Sequence, residues 1–120
     1  MRFQTSLAVV VIGAAVLVAC GAAEPGAKLY TDLGCPGCHG RAGEGNRYGP
    51  ELDNLDQLWA SDADLVRYMK DPKAAVEGIE RLQRQAGQYK LRMLPVTAAS
   101  DAELATLAAW LRDLDRGASG

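Results

Sequence analysis

The run Cys35-Pro36-Gly37-Cys38-His39 decides how this chain is read. Two thiols one helical turn apart, followed directly by an imidazole, form the C-x-x-C-H pattern of covalent c-type haem attachment. The chemistry explains the spacing. Each thiol forms a thioether with one haem vinyl group, and the next residue sets a ring nitrogen beneath the iron. Other uses of paired thiols fit less well. A thioredoxin-like dithiol wants a preceding strand and a βαβ pattern, and no window shows sustained period-2 alternation. A structural zinc site needs about four soft or imidazole ligands, whereas His39 is the single histidine and Cys20 the one cysteine outside the motif. A disulfide between Cys35 and Cys38 would close too short a loop to stabilise much.

A single histidine also excludes bis-histidine ligation, so the sixth position of the iron falls to another side chain. The soft candidates are Met69 and Met93, and Met/His ligation is the arrangement that raises the potential of such centres. Met69 lies in a stretch from Ser61 to Pro72 that reads as a helix, with Ser61 and Asp64 as an N-cap pair and Pro72 as its stop. Leu65, Tyr68 and Met69 stand at i, i+3 and i+4 there, the pattern of a buried stripe. Met93 belongs to Arg92-Met93-Leu94-Pro95, outside any periodic run and just ahead of the next helix. Met93 is therefore the expected ligand, with Met69, a lysine or an open position as alternatives.

Upstream of the motif the composition changes. Residues 1–23 carry one charge, Arg2, and every residue from Leu7 to Ala19 is apolar or small. This is the pattern of a secretory signal peptide, with an uncleaved anchor as the alternative. Leu17-Val18-Ala19-Cys20 resembles the bacterial lipobox, in which a lipid joins the cysteine and the preceding residues are removed; cleavage after Ala23 is the competing outcome. The expected organisation is a signal peptide over 1–19, a lipid-anchored linker over 20–25, a folded domain over 26–116 and a tail over 117–120. Each version places the folded part outside the cytoplasm; the lipoprotein version, which is the one expected, places it on the periplasmic side and tethers it to a membrane through Cys20.

Four stretches of the exported part resemble class I c-type cytochromes, from Gly26 to about Leu114. Gly26 and Tyr30 lead into the Cys35–His39 motif as in that family's first helix, where a glycine and an aromatic four residues later touch the last helix. Gly49-Pro50-Glu51-Leu52 is similar to the family's G-P-x-L. The resemblance implies that the Pro50 carbonyl accepts a hydrogen bond from the ligand imidazole, which fixes the ring and strengthens the ligand. Leu65 to Lys73 is similar to the helix ending in D-P-K, and Met93-Leu94-Pro95 followed by Ser100 to Leu104 is similar to the ligand loop and last helix. Between Pro72 and Met93 this chain departs from the family's short run. Val76 to Gly87 has room for an extra helical turn or two, with Ile79, Leu82 and Ala86 on one side.

The resemblance implies an all-α class I cytochrome c fold, first and last helices crossing, wrapped around one covalently bound haem c. Ser100 and Glu103 form a capping box by sequence, and Leu104, Leu107, Leu111 and Leu114 draw one apolar face widened by Ala108 and Trp110. Leu29, Tyr30, Leu52, Leu55, Leu65, Tyr68, Leu104, Leu107 and Leu111 are expected to line or back the haem. Arg41, Arg47, Tyr48 and Trp59 are candidate partners for its propionates, Tyr48 and Trp59 also serving as pocket wall.

The whole chain has 13 basic and 15 acidic groups in 120 residues, with aromatics at 6%. That balance gives no electrostatic footprint for nucleic acid. Charge is uneven along it: residues 20–66 hold three positive and eight negative groups, 67–92 seven and three, and 93–120 two and four. The basic stretch comprises Arg67, Lys70, Lys73, Arg81, Arg84, Lys90 and Arg92; it either rings an exposed haem edge and steers an acidic redox partner or forms a solvated helix face. Nothing in the chain offers a nucleophile beside a base, so no small-molecule substrate is expected. The function expected is a non-enzymatic, single-haem electron carrier acting between protein redox partners. The alternatives are a five-coordinate haem sensor or small peroxidase, in which Met93 leaves the iron free, and a fixed subunit of a larger oxidoreductase.

Overall fold

The computed structural model describes residues 24–114 and the isolated position Gly13. Cys20, the expected signal peptide and the expected tail lie outside the described residues. Among the described residues there are seven helices and no strand: α1 Pro25–Asp32, α2 Pro36–His39, α3 Leu55–Leu58, α4 Asp62–Lys70, α5 Pro72–Gly78, α6 Glu80–Ala86 and α7 Asp101–Arg112. None of them is long and apolar enough to cross a membrane.

Local chemistry sets most of these boundaries. Proline stands in the first turn of α1, α2 and α5, where its missing N–H costs nothing. The Ser61 hydroxyl accepts from Asp64 N–H at 3.1 Å to start α4. Asp62 and Asp64 in the first turn and Arg67 and Lys70 in the last complement its dipole. Pro72 ends α4 and begins α5 at once, because Asp71 leaves the helical region and its carboxylate accepts from Ala74 N–H. The capping box of α7 is complete: Ser100 Oγ accepts from Glu103 N–H, and the Glu103 carboxylate accepts from Ser100 N–H. Those bonds hold the Glu103 carboxyl below its ordinary value.

The stretch before Met93 is more helical than a turn or two. The chain forms two short helices, broken at Ile79, whose extended backbone (φ −126°, ψ 107°) follows the helix-weakening Gly78. The break divides the expected apolar side, so Leu82 is buried while Ile79 and Ala86 are half-buried.

The frame is built on α7, against which α1 and α4 both pack. Leu104, Leu107, Ala108 and Leu111 are buried on its inner face, with Leu114 and Trp110 half-buried beside them. Lys70 meets Asp101 at 2.8 Å and Arg112 meets Asp62 at 2.6 Å. The C-terminal end of α4 therefore lies by the N-terminal end of α7 and vice versa, an antiparallel pair clasped at both ends. Being partly exposed, each ion pair contributes about 0.2–1 kcal/mol.

At the other crossing, Gly26 of α1 lies against Trp110, and a Cβ there would overlap Trp110 Cβ. The Tyr30 ring stacks tilted on the Trp110 indole, centroids 5.5 Å apart. Gly26→Ala is accordingly expected to lower stability by about 1–3 kcal/mol, the usual cost of overpacking, as read from the denaturant midpoint of the haem-loaded protein.

Candidate functional site

The Tyr30 hydroxyl donates to the Gly40 carbonyl, tying α1 to the turn that follows. Within Cys35–His39, His39 N–H bonds to the Cys35 carbonyl at 3.0 Å and Gly40 N–H to that of Pro36 at 3.0 Å. The motif is thus one closed helical turn. Gly40, with φ +85°, lets the chain leave that turn in a direction that L side chains rarely adopt. The Glu44 carboxylate accepts from the N–H groups of Arg41 and Ala42, and Gly45 N–H returns to the His39 carbonyl at 2.7 Å. The loop then folds back so closely that a Cβ at Gly49 would stand 2.5 Å from the Cys38 carbonyl oxygen.

This loop delivers Pro50. Its carbonyl oxygen lies 2.9 Å from His39 Nδ1. A carbonyl only accepts, so Nδ1 carries the proton and Nε2 is left with its lone pair, the form in which imidazole binds a metal.

His39 lines a cavity of about 80 Å³. Tyr30, Cys35, Pro50 and Leu52 form one part of the lining; Leu55 and Trp59 come from α3 and its end; Leu65, Tyr68 and Met69 from α4; and Leu107 and Leu111 from α7. Arg81, Leu82 and Gln85 reach in from α6, and Met93 and Val96 from the irregular stretch that follows. Eight of the ten buried apolar residues of the domain line this space; only Leu104 and Ala108 do not. Burial pushes the Cys35 thiol above its ordinary value. It does the same to the Tyr68 phenol, against the opposing pull of the Arg81 charge.

The cavity brings together most of the residues singled out from the sequence: Cys35, His39, Met93, Pro50, Leu52, Trp59 and Tyr68. Cys38 is exposed beside it, one turn from Cys35. The structure places Arg47 and Tyr48 outside the lining. Their turn faces outward, and the Arg47 guanidinium both hydrogen-bonds the Tyr48 hydroxyl and sits 4.7 Å above its ring. Arg41 is exposed, and Leu29 packs on the core without reaching the cavity. Arg81 and Gln85 were not singled out for the pocket, although their i, i+4 spacing around Leu82 marks one face of a helix.

Two free thiols and an imidazole with its outer nitrogen engaged, set against an apolar cavity at the centre of an all-α domain, define a haem-binding protein of c type. A family model described as cytochrome c matches residues 23–115, and the chain belongs to the cytochrome c family. No curated protein and no solved structure matches it. The protein is a class I c-type cytochrome, a haem-based electron-transfer protein whose cofactor is haem c with its iron. The residues present fit that group: the thiols are free, and His39 stands in a cavity wall that is mostly apolar, with Glu51, Arg81 and Gln85 among its polar members.

Proposed function

We propose that the protein carries single electrons between protein partners outside the cytoplasm, with Cys35 and Cys38 holding the haem, His39 and Met93 ligating it, and Cys20 bearing a lipid tether. The observation that carries this reading is the His39–Pro50 bond at 2.9 Å, which readies one imidazole nitrogen for metal beside two free thiols. When bound, haem c supplies a one-electron couple. The chain supplies the rest: Pro50 keeps the His39 ring in one tautomer and orientation, and Leu65, Leu107 and Leu111 exclude water from the cavity. A fixed ligand set and a dry wall keep reorganisation between the two oxidation states small.

Met93 is favoured over Met69 by its setting. Met69 is 3% exposed on the packed face of α4, and its carbonyl accepts from Val96 N–H at 2.8 Å. Met93 lines the same cavity from a stretch without helix, half-buried and packed against the edge of the core.

Support for a partner surface comes from the same region. Leu58, which lines the cavity, is 42% exposed, and Leu94, adjacent to Met93, is 78% exposed. Arg67, Lys70 and Arg84 are held in ion pairs. Lys73, Lys90 and Arg92 have no such pair among the described residues and are exposed. They suit an acidic redox partner, acting mainly on the rate of association.

The intact mass of the mature protein tests the proposal. The expected species starts at Cys20 and carries one haem and a lipid. A chain beginning after Ala23 without lipid would end the tether, and a mass without haem would end the cofactor assignment.

A further inference from the structure

Two of the side chains that line the cavity are charged at neutral pH, and with opposite sign: Glu51 and Arg81. Their settings differ. Glu51 is exposed, so solvent screens it. Arg81 is half-buried and held at two points. Its guanidinium stacks over the Trp59 ring at 5.2 Å from the centroid, and its Nη2 donates to the Leu58 carbonyl at 3.2 Å. Trp59 beneath it is 7% exposed and the adjacent Leu82 is 3% exposed, so the charge rests against a wall of low dielectric. Arg84, one turn portion away on α6, is paired with Glu80 at 2.8 Å, whereas Arg81 forms no salt bridge among the described residues. A cation is thus pinned at the cavity without a carboxylate partner.

A fixed positive charge beside a cofactor that gains an electron lowers the energy of the reduced state more than that of the oxidised state. We propose that Arg81 is a positioning residue that raises the reduction potential of the bound haem through its charge, held in place by Trp59 and the Leu58 carbonyl. The inference rests on the haem c that the family supplies and not on Met93 as its ligand.

The test is the midpoint potential of the full-length, haem-loaded protein at low ionic strength, comparing wild type with Arg81→Gln, Arg81→Lys and Arg84→Gln. Arg81→Gln is expected to shift the reduced-to-oxidised ratio at fixed applied potential three- to tenfold toward the oxidised form; tenfold corresponds to about 59 mV for one electron. Arg81→Lys keeps the charge and is expected to retain most of the wild-type value. Arg84→Gln, on an exposed and already neutralised site, is expected to leave it unchanged. Should Arg81→Gln assemble poorly, Arg81→Met, with an apolar stem to cover Trp59, carries the same comparison. An unchanged or raised potential in the neutral variant overturns the proposal, as does a Lys variant that falls as far as Gln, since a merely structural side chain would not distinguish charge from shape. The sulfur-to-iron charge-transfer band, recorded on each sample, reports the Met93 assignment separately: its absence in wild type removes that ligand and leaves the Arg81 comparison intact.

Discussion

Replacing both Cys35 and Cys38 by serine is expected to abolish covalent haem and, with it, the folded domain. Eight of the ten buried apolar residues face the cavity, so without a bound group their inner surfaces meet either void or water. An empty cavity costs about 24 cal/mol per Å³ in a well-packed protein. For a space of about 80 Å³, the loss would be roughly 2 kcal/mol. That is a sizeable share of the whole stability of a small domain, about 5–15 kcal/mol. Flooding the space exposes apolar surface at about 25 cal/mol per Å² and gives no relief. The measurements are haem staining on a denaturing gel and far-ultraviolet circular dichroism of the purified variant. Native helical content in a haem-free Cys35→Ser/Cys38→Ser chain would show that the helices close on one another without the cofactor.

The second large effect is expected at the ligand. Met93→Ala should erase the sulfur-to-iron charge-transfer band of the ferric protein. It should also lower the midpoint potential by roughly 0.1 V or more, within the span of about 0.8 V that axial ligands command. Met69→Ala separates ligation from packing. As a core methionine at 3% exposure, it is expected to keep the band while losing about 2–5 kcal/mol of stability. A band that survives Met93→Ala and vanishes in Met69→Ala would transfer the assignment to α4. Optical spectra and denaturant titrations of the two variants decide between these outcomes.

Much of the architecture could be read from the chain because the relevant interactions are local. The capping box of α7, the Ser61 cap of α4 and the apolar face at Leu104, Leu107 and Leu111 depend on residues three or four apart, and each is present. The family resemblance and the helical fold are likewise met. The break at Ile79 was hidden because Gly78 weakens a helix without dictating where the chain turns extended. For the cavity wall the difficulty is different. Arg47 and Tyr48 are the right residue types for haem carboxylates, but the turn between Asn46 and Gly49 aims them at each other and away from the cavity. Arg81 reaches the cavity only because α5 and α6 fold back to bring it over Trp59, 22 residues earlier in the chain. No periodic pattern encodes such a return.

The two sides of the cavity also differ in how far apart their parts lie along the chain. His39 and the Pro50 carbonyl are 11 residues apart, within one short loop. Met93 lies more than fifty residues beyond His39 and is tied to the frame through its neighbour Val96, whose N–H reaches Met69. Closing a loop costs entropy that grows as about (3/2)RT ln n, and contacts of high sequence separation form late in folding. The histidine side is therefore a low-contact-order unit, expected to assemble early around the attached group. The methionine side is expected to dock last and open first, so that amide exchange over residues 88–99 runs ahead of that in the Cys35–Pro50 loop.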